Sequence, residues 1–156
     1  MGLSNMFTSV FRRGGADAAV PHIDRAPPGA VWREVRPRRS EGRVKAELAE
    51  TSGEVQTEHG SLHYAPGQHY LVHHADGAVA PVQKAIFENT YRRCENGEYE
   101  KRTDIVLRYF SLSYPVIVET MEGARRAEPG DWIMEGVAGE IWPVAAADGP
   151  RKYEPV

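Results

Sequence analysis

The sequence predicts an all-β or β-rich α+β protein made of two tandem small units, each a bent sheet or partial barrel. The first unit carries a short helix, and a flexible arm precedes both. Three observations predict this. Glycine (15) and proline (11) are frequent, which favours turns and short elements over long helices. Hydrophobic residues make up 41% of the 156 and charged residues 26%, enough apolar content for a folded core. A run of turn and core residues also recurs along the chain at a constant spacing.

That recurrence sets the domain organisation. Val55-Gln56-Thr57-Glu58-His59-Gly60 leads to Pro66-Gly67, and Val118-Glu119-Thr120-Met121-Glu122-Gly123 leads to Pro129-Gly130. Val, Thr, Gly and Pro-Gly match at an offset of 63. After one deleted residue the register continues at 62. Gly77 to Val82 then matches Gly139 to Val144, and Tyr91 matches Tyr153. Three segments follow: a basic arm over 1–30, a first β unit over 31–93 and a second over 94–156. A unit of this size buries too little surface to be secure alone, so the two are expected to pack as a pseudo-two-fold pair. Their shared interface is the natural place for a ligand or partner.

The arm opens with Leu3, Met6, Phe7, Val10 and Phe11 at roughly helical spacing, then Arg12 and Arg13, then a Pro/Gly/Ala-rich stretch. This reads as a short amphipathic helix on a flexible linker that docks a partner. Its apolar run is too short for a secretory signal. Residues 1–45 hold nine Lys/Arg against four Asp/Glu, while residues 46–156 hold ten against eighteen. A basic arm can meet nucleic-acid phosphates or an anionic membrane surface. No aromatic platform or DNA-binding motif accompanies it, so solvation or contact with the acidic body is the preferred reading.

Each unit is expected to begin with an apolar strand, Val44 to Ala49 or Ile105 to Phe110. A second strand ends at Gly60 or Gly123. A Pro-Gly turn follows, with Pro presetting φ and Gly accepting a positive one. Next come Tyr70-Leu71-Val72 or Trp132-Ile133-Met134, a turn at Gly77 or Gly139, and a strand ending in Pro-Val. Proline there suits an edge, since it cannot donate to a ladder. In the first unit Gln83 to Thr90 forms a short helix with Ile86 and Phe87 inward. In the second, Gly149-Pro150 makes that helix shorter or absent. Arg92–Arg102 is read as a short connector.

The second unit resembles a short phage and prophage protein family on specific residues: Thr120, Glu122-Gly123, Pro129-Gly130-Asp131-Trp132-Ile133, Gly136, Gly139-Glu140, Trp142-Pro143-Val144 and Tyr153-Glu154. The family's closing Ile-Phe-x-x-Thr-Tyr stands in the first unit as Ile86-Phe87-Glu88-Asn89-Thr90-Tyr91. Gln68 and Ala80 of the first unit depart from the pattern, where Asp and an aromatic are usual. The resemblance spans about 43–155 in two halves. It implies a small phage-type or bacterial accessory protein and names no reaction.

Histidine is the one polar cluster. His59, His63, His69, His73 and His74 lie within sixteen residues. The pairs His59/His63 and His69/His73 each face one side of an extended strand. His69, His73 and His74 are therefore candidate ligands for a divalent metal such as zinc or nickel. The second unit lacks them all, which favours ordinary strand histidines and no cofactor. Asp131 and Glu140 sit at turns, where carboxylates more often bond backbone than do acid–base work. Ser61, Ser111 and Ser113 lack a nucleophile elbow. Cys94 lies in a polar stretch and reads as a loop thiol. One cysteine excludes an intrachain disulfide framework, and the cytoplasm is the expected compartment.

The aromatics Tyr70, Tyr91, Trp132, Trp142 and Tyr153 recur at related places and are the candidate binding residues, with core filling as their ordinary role. The leading expectation is a non-catalytic binding or adaptor protein of phage-related ancestry, with its ligand or protein partner at the unit junction. The alternatives are a metal-dependent enzyme centred on His69, His73 and His74, and an assembly protein that homo-oligomerises through strand edges. No window is apolar enough for a membrane span.

Overall fold

Alternation with a period of two builds most of the molecule, and a few turns set its order. The structure is a computed structural model that describes residues 20–39, 42–57 and 60–156. The expected helix of the arm and His59 lie outside those residues. Among the described residues strands make up 47% and two short helices 8%, and no sheet closes into a barrel. The β-rich expectation therefore holds.

Two strands come first, β1 (His22–Ile23) and β2 (Arg33–Pro37). The first half then runs β3 (Lys45–Leu48), β4 (Gly53–Thr57), β5 (Gly60–Tyr64), β6 (His69–His73), β7 (Val79–Gln83), α1 (Lys84–Thr90) and β8 (Tyr91–Arg93). After β9 (Tyr99–Lys101), the second half runs β10 (Leu107–Phe110), β11 (Val116–Thr120), β12 (Gly123–Ala127), β13 (Trp132–Glu135), β14 (Ile141–Val144), α2 (Gly149–Lys152) and β15 (Tyr153–Pro155). The element order of the two halves is the same.

Their registers agree as well. Lys45 pairs with His73 between β3 and β6, and Arg108 pairs with Glu135 between β10 and β13. Tyr70 pairs with Val82, and Trp132 with Val144. The Pro-Gly turns place Gly67 at φ 73° and Gly130 at φ 86°, conformations that L side chains rarely adopt.

Gly60 and Gly123 do not end a strand as expected. They open β5 and β12, which complete the hairpins β4–β5 and β11–β12. Thr57 and Thr120 close those turns, each hydroxyl donating to the carbonyl of the glycine three residues on at 2.8 and 2.7 Å.

The strands that precede each half are exchanged. β2 lies ahead of the first half, yet it pairs with β10 and β15 in the five-stranded sheet β14-β13-β10-β2-β15. β9 lies ahead of the second half, yet it pairs with β8 and bridges to β3 through Val44 and Tyr99. The positions correspond. Tyr91 meets Lys101 as Tyr153 meets Pro37, and Val44 meets Tyr99 as Leu107 meets Val35. The Arg102 N–H donates to the Thr90 carbonyl at 2.8 Å, and the Arg38 N–H donates to the Lys152 carbonyl at 2.8 Å.

The expected boundaries differ from this arrangement at two places. Arg33–Pro37, assigned to the first unit, belongs to the sheet of the second half. Residues 20–30, assigned to a flexible arm, are built in: β1 pairs with β11, Val20 is buried, and Ile23, Ala26 and Ala30 pack against the second half's core. The Arg92–Arg102 connector is the hairpin β8–β9, turned at Asn96-Gly97.

The second half holds the larger core. Phe110, Val116, Val118, Ala127, Ile133 and Ile141 form one cluster, with the Trp32 ring edge-on to Phe110 at 5.2 Å. Val35, Leu107, Met134 and Val144 form another on the other face of the sheet. The first half centres on Phe87, stacked between Tyr70 at 4.2 Å and Tyr91 at 4.7 Å, with Tyr99 edge-on. As expected, α1 turns Phe87 inward, and α2 is shorter at four residues with Pro150 in its first turn. Among the described residues, no helix is long and apolar enough to cross a membrane.

Candidate functional site

β7 and β14 are edge strands of their sheets, and both carry proline in the same place, Pro81 and Pro143. Proline removes a donor from an edge and discourages pairing with another chain. Between the halves lies a groove of about 980 Å³, within the range of small-molecule sites. Equivalent positions from each half line it: Val82 and Val144, Thr90 and Lys152, Tyr91 and Tyr153. The ends of the exchanged strands supply Arg38 and Arg102, also equivalent. The strand exchange thus shapes the concavity.

The groove is basic although the chain is acidic. Seven Lys/Arg side chains line it against two carboxylates, Glu122 and Glu140. Glu140 already accepts the Ala138 N–H at 2.9 Å. Three of the arginines are engaged: Arg38 with the Pro150 carbonyl at 2.8 Å and Glu154 at 3.8 Å, Arg102 with Asp104 at 2.9 Å, and Arg151 with Asp148. Arg39, Lys101, Arg125 and Lys152 have no ion-pair or hydrogen-bond partner for their side chains among the described residues. Lys101 lines the groove as an exposed residue, and the protein around its ammonium displaces part of its water. That desolvation, with the charge of Lys152 added, holds its ammonium below the ordinary lysine range. Burial raises the phenol of Tyr91. It also raises that of Tyr153, where a hydrogen bond from Trp142 opposes the shift.

Of the five aromatics picked from the sequence, the structure brings Tyr91, Trp142 and Tyr153 to the groove. Tyr70 and Trp132 serve packing. Tyr70 stacks on Phe87, and its hydroxyl donates to Glu88 at 3.0 Å. Trp132 stacks on Tyr109 at 3.9 Å and covers Gly149, where an added Cβ would overlap the indole.

The histidines are dispersed. His69 Nδ1 accepts the Ala65 N–H at 3.1 Å, which leaves the ring proton on Nε2. His73 Nε2 contacts both Glu47 oxygens at 2.7 Å. His63 faces Glu54 at 3.4 Å. His74 is exposed in the turn before β7. Among the described residues, no three metal-ligating side chains come together.

Asp131 accepts the N–H groups of Glu128 and Ala146 at 2.9 and 3.0 Å, tying the Pro-Gly turn to the chain beyond β14. Cys94 is a half-buried free thiol at the β8–β9 turn. Sequence reasoning missed the lysines. Lys152 of the second half stands where the first has Thr90, at offset 62, and Lys101 stands where β2 has Pro37. No local motif marks either one.

Comparison with family models, with curated proteins and with solved structures finds no match for this chain.

Proposed function

We propose that this is a non-catalytic binding or adaptor protein that holds its ligand in the groove between the halves. The observation that carries this reading is the pairing of equivalent residues around one concavity, Tyr91 with Tyr153 and Arg38 with Arg102. The obvious chemical groups support it by being committed elsewhere. Asp131 and Glu140 bond turn amides, and His69 and His73 have partners of their own. The matching registers of the halves support descent from one duplicated unit. The motif resemblance supports a phage-related or bacterial accessory protein, and the single free thiol of Cys94 suits the cytoplasm.

Gln83 tests the reading without risk to the core. It is exposed, lines the groove and makes no side-chain cap on α1. Binding of a neutral aromatic fragment set, followed by backbone amide NMR shifts, is expected to map to Tyr91, Trp142 and Tyr153. Gln83→Trp, which fills the groove, is expected to abolish it. Fragment shifts that map elsewhere, or persist in Gln83→Trp, remove the groove from consideration.

A further inference from the structure

The groove's charge specifies its occupant further, on the reading just given that the groove is the ligand site. Four cations that line it lack partners among the described residues, and two of them, Lys101 and Lys152, are near enough for the charge of one to act on the other. Two adjacent ammonium groups repel, and partial desolvation strengthens that repulsion. A multiply charged anion relieves it, whereas a single carboxylate balances only one cation. The apolar floor of Val82 and Val144 and the rings of Tyr91, Trp142 and Tyr153 suit a planar organic body. Arg39 and Lys101 also line an adjoining cleft of about 260 Å³, where Glu100 and Asp104 pair with Arg92 and Arg102, so an excess of positive charge continues past the groove.

We propose that the groove binds a phosphorylated small molecule of nucleotide size, with Lys101 and Lys152 on the phosphates and the aromatic floor under the base. Desolvation and the charge of Lys152 lower the proton affinity of Lys101 in the free protein, and a bound phosphate opposes both effects.

Calorimetry on the full chain with ADP, pyrophosphate and adenosine as probes tests this. ADP is expected to bind more tightly than either of the others, with an affinity that falls as salt rises. Lys101→Met and Lys152→Met are each expected to weaken ADP by about tenfold or more, as loss of a charge-assisted contact does. Lys45→Met, on the exposed face of β3, is the control and is expected to leave it unchanged. No ADP or pyrophosphate binding by the parent overturns the proposal, as does ADP affinity unchanged in the Lys101→Met/Lys152→Met double variant. Adenosine binding equal to that of ADP overturns the phosphate assignment while leaving the groove reading intact, which the Gln83→Trp experiment decides separately. A dimer in light scattering that Lys101→Met dissociates overturns it in favour of a second copy in the groove.

Discussion

Phe87 and Gly149 stand at equivalent positions, and around them the halves distribute volume differently. The first half puts Phe87 under Tyr70. The second puts nothing at Gly149 and fills the space with Trp132 stacked on Tyr109. Alanine is better than glycine inside a helix by about 0.5–1 kcal/mol, so Gly149→Ala would stabilise α2 if there were room. An added Cβ overlaps the indole, and overpacking of that kind costs about 1–3 kcal/mol. Gly149→Ala is therefore expected to lower stability by roughly 1–2 kcal/mol in urea unfolding. Trp132→Tyr, which restores the ring of the other half, is expected to recover most of that loss in the double variant. Additive effects would mean that the two positions do not share one space. In the first half Phe87→Ala is expected to cost about 3–5 kcal/mol, because Phe87 is stacked on both Tyr70 and Tyr91.

At the scale of elements, the exchange of β2 and β9 makes each half depend on a strand that precedes the other. Val35 is buried against Leu107, Met134 and Val144, so β2 is a core strand of the second half. Residues 103–156 alone are expected to stay unfolded by near-ultraviolet circular dichroism. A peptide covering 20–39 is expected to restore the Trp132 signal. Independent folding of 103–156 would show that the exchange is ornamental. This dependence could not be read from the sequence. Arg33-Glu34-Val35-Arg36-Pro37 offers one inward apolar residue, and its partner strands lie about 70 and about 120 residues away. The hairpin β8–β9 reads in the sequence as a plain connector: Asn96-Gly97 between two short runs is a hairpin signal, but the polar Arg92-Arg93 disguises the strand. By contrast, the offset of 63 and 62 revealed β3, β6, β7 and α1 with their counterparts, because turn glycines and Pro-Gly pairs are fixed by backbone geometry and not by side-chain identity.

For the whole molecule, a net charge of −3 conceals a basic groove in an acidic body. The sequence reading located the basic charge on the arm, whereas Lys101, Arg125 and Lys152 lie far along the chain and meet only through the fold. Tyr91 and Tyr153 were legible as a pair, and their burial at the junction has a consequence for pH. Both phenols are raised above the ordinary 10.0 by burial, so the folded state holds their protons more tightly than the unfolded chain. That stability is fully present below pH 10 and is lost as pH rises through the folded values. Tyr91→Phe/Tyr153→Phe is expected to shift alkaline unfolding to higher pH, measured by circular dichroism. Lys101 runs the other way. Its folded value lies below 10.5, so its charge opposes folding throughout the neutral range, and the penalty fades as pH climbs from the folded value to 10.5. Lys101→Met keeps the aliphatic stem and removes the charge. It is expected to raise the urea midpoint at neutral pH, with an advantage that shrinks toward pH 10.5, while it weakens ADP. Stability gained as binding is lost marks a group held in place for its ligand. A lower urea midpoint for Lys101→Met at neutral pH would instead make Lys101 a packing residue and leave the groove's charge without a purpose in binding.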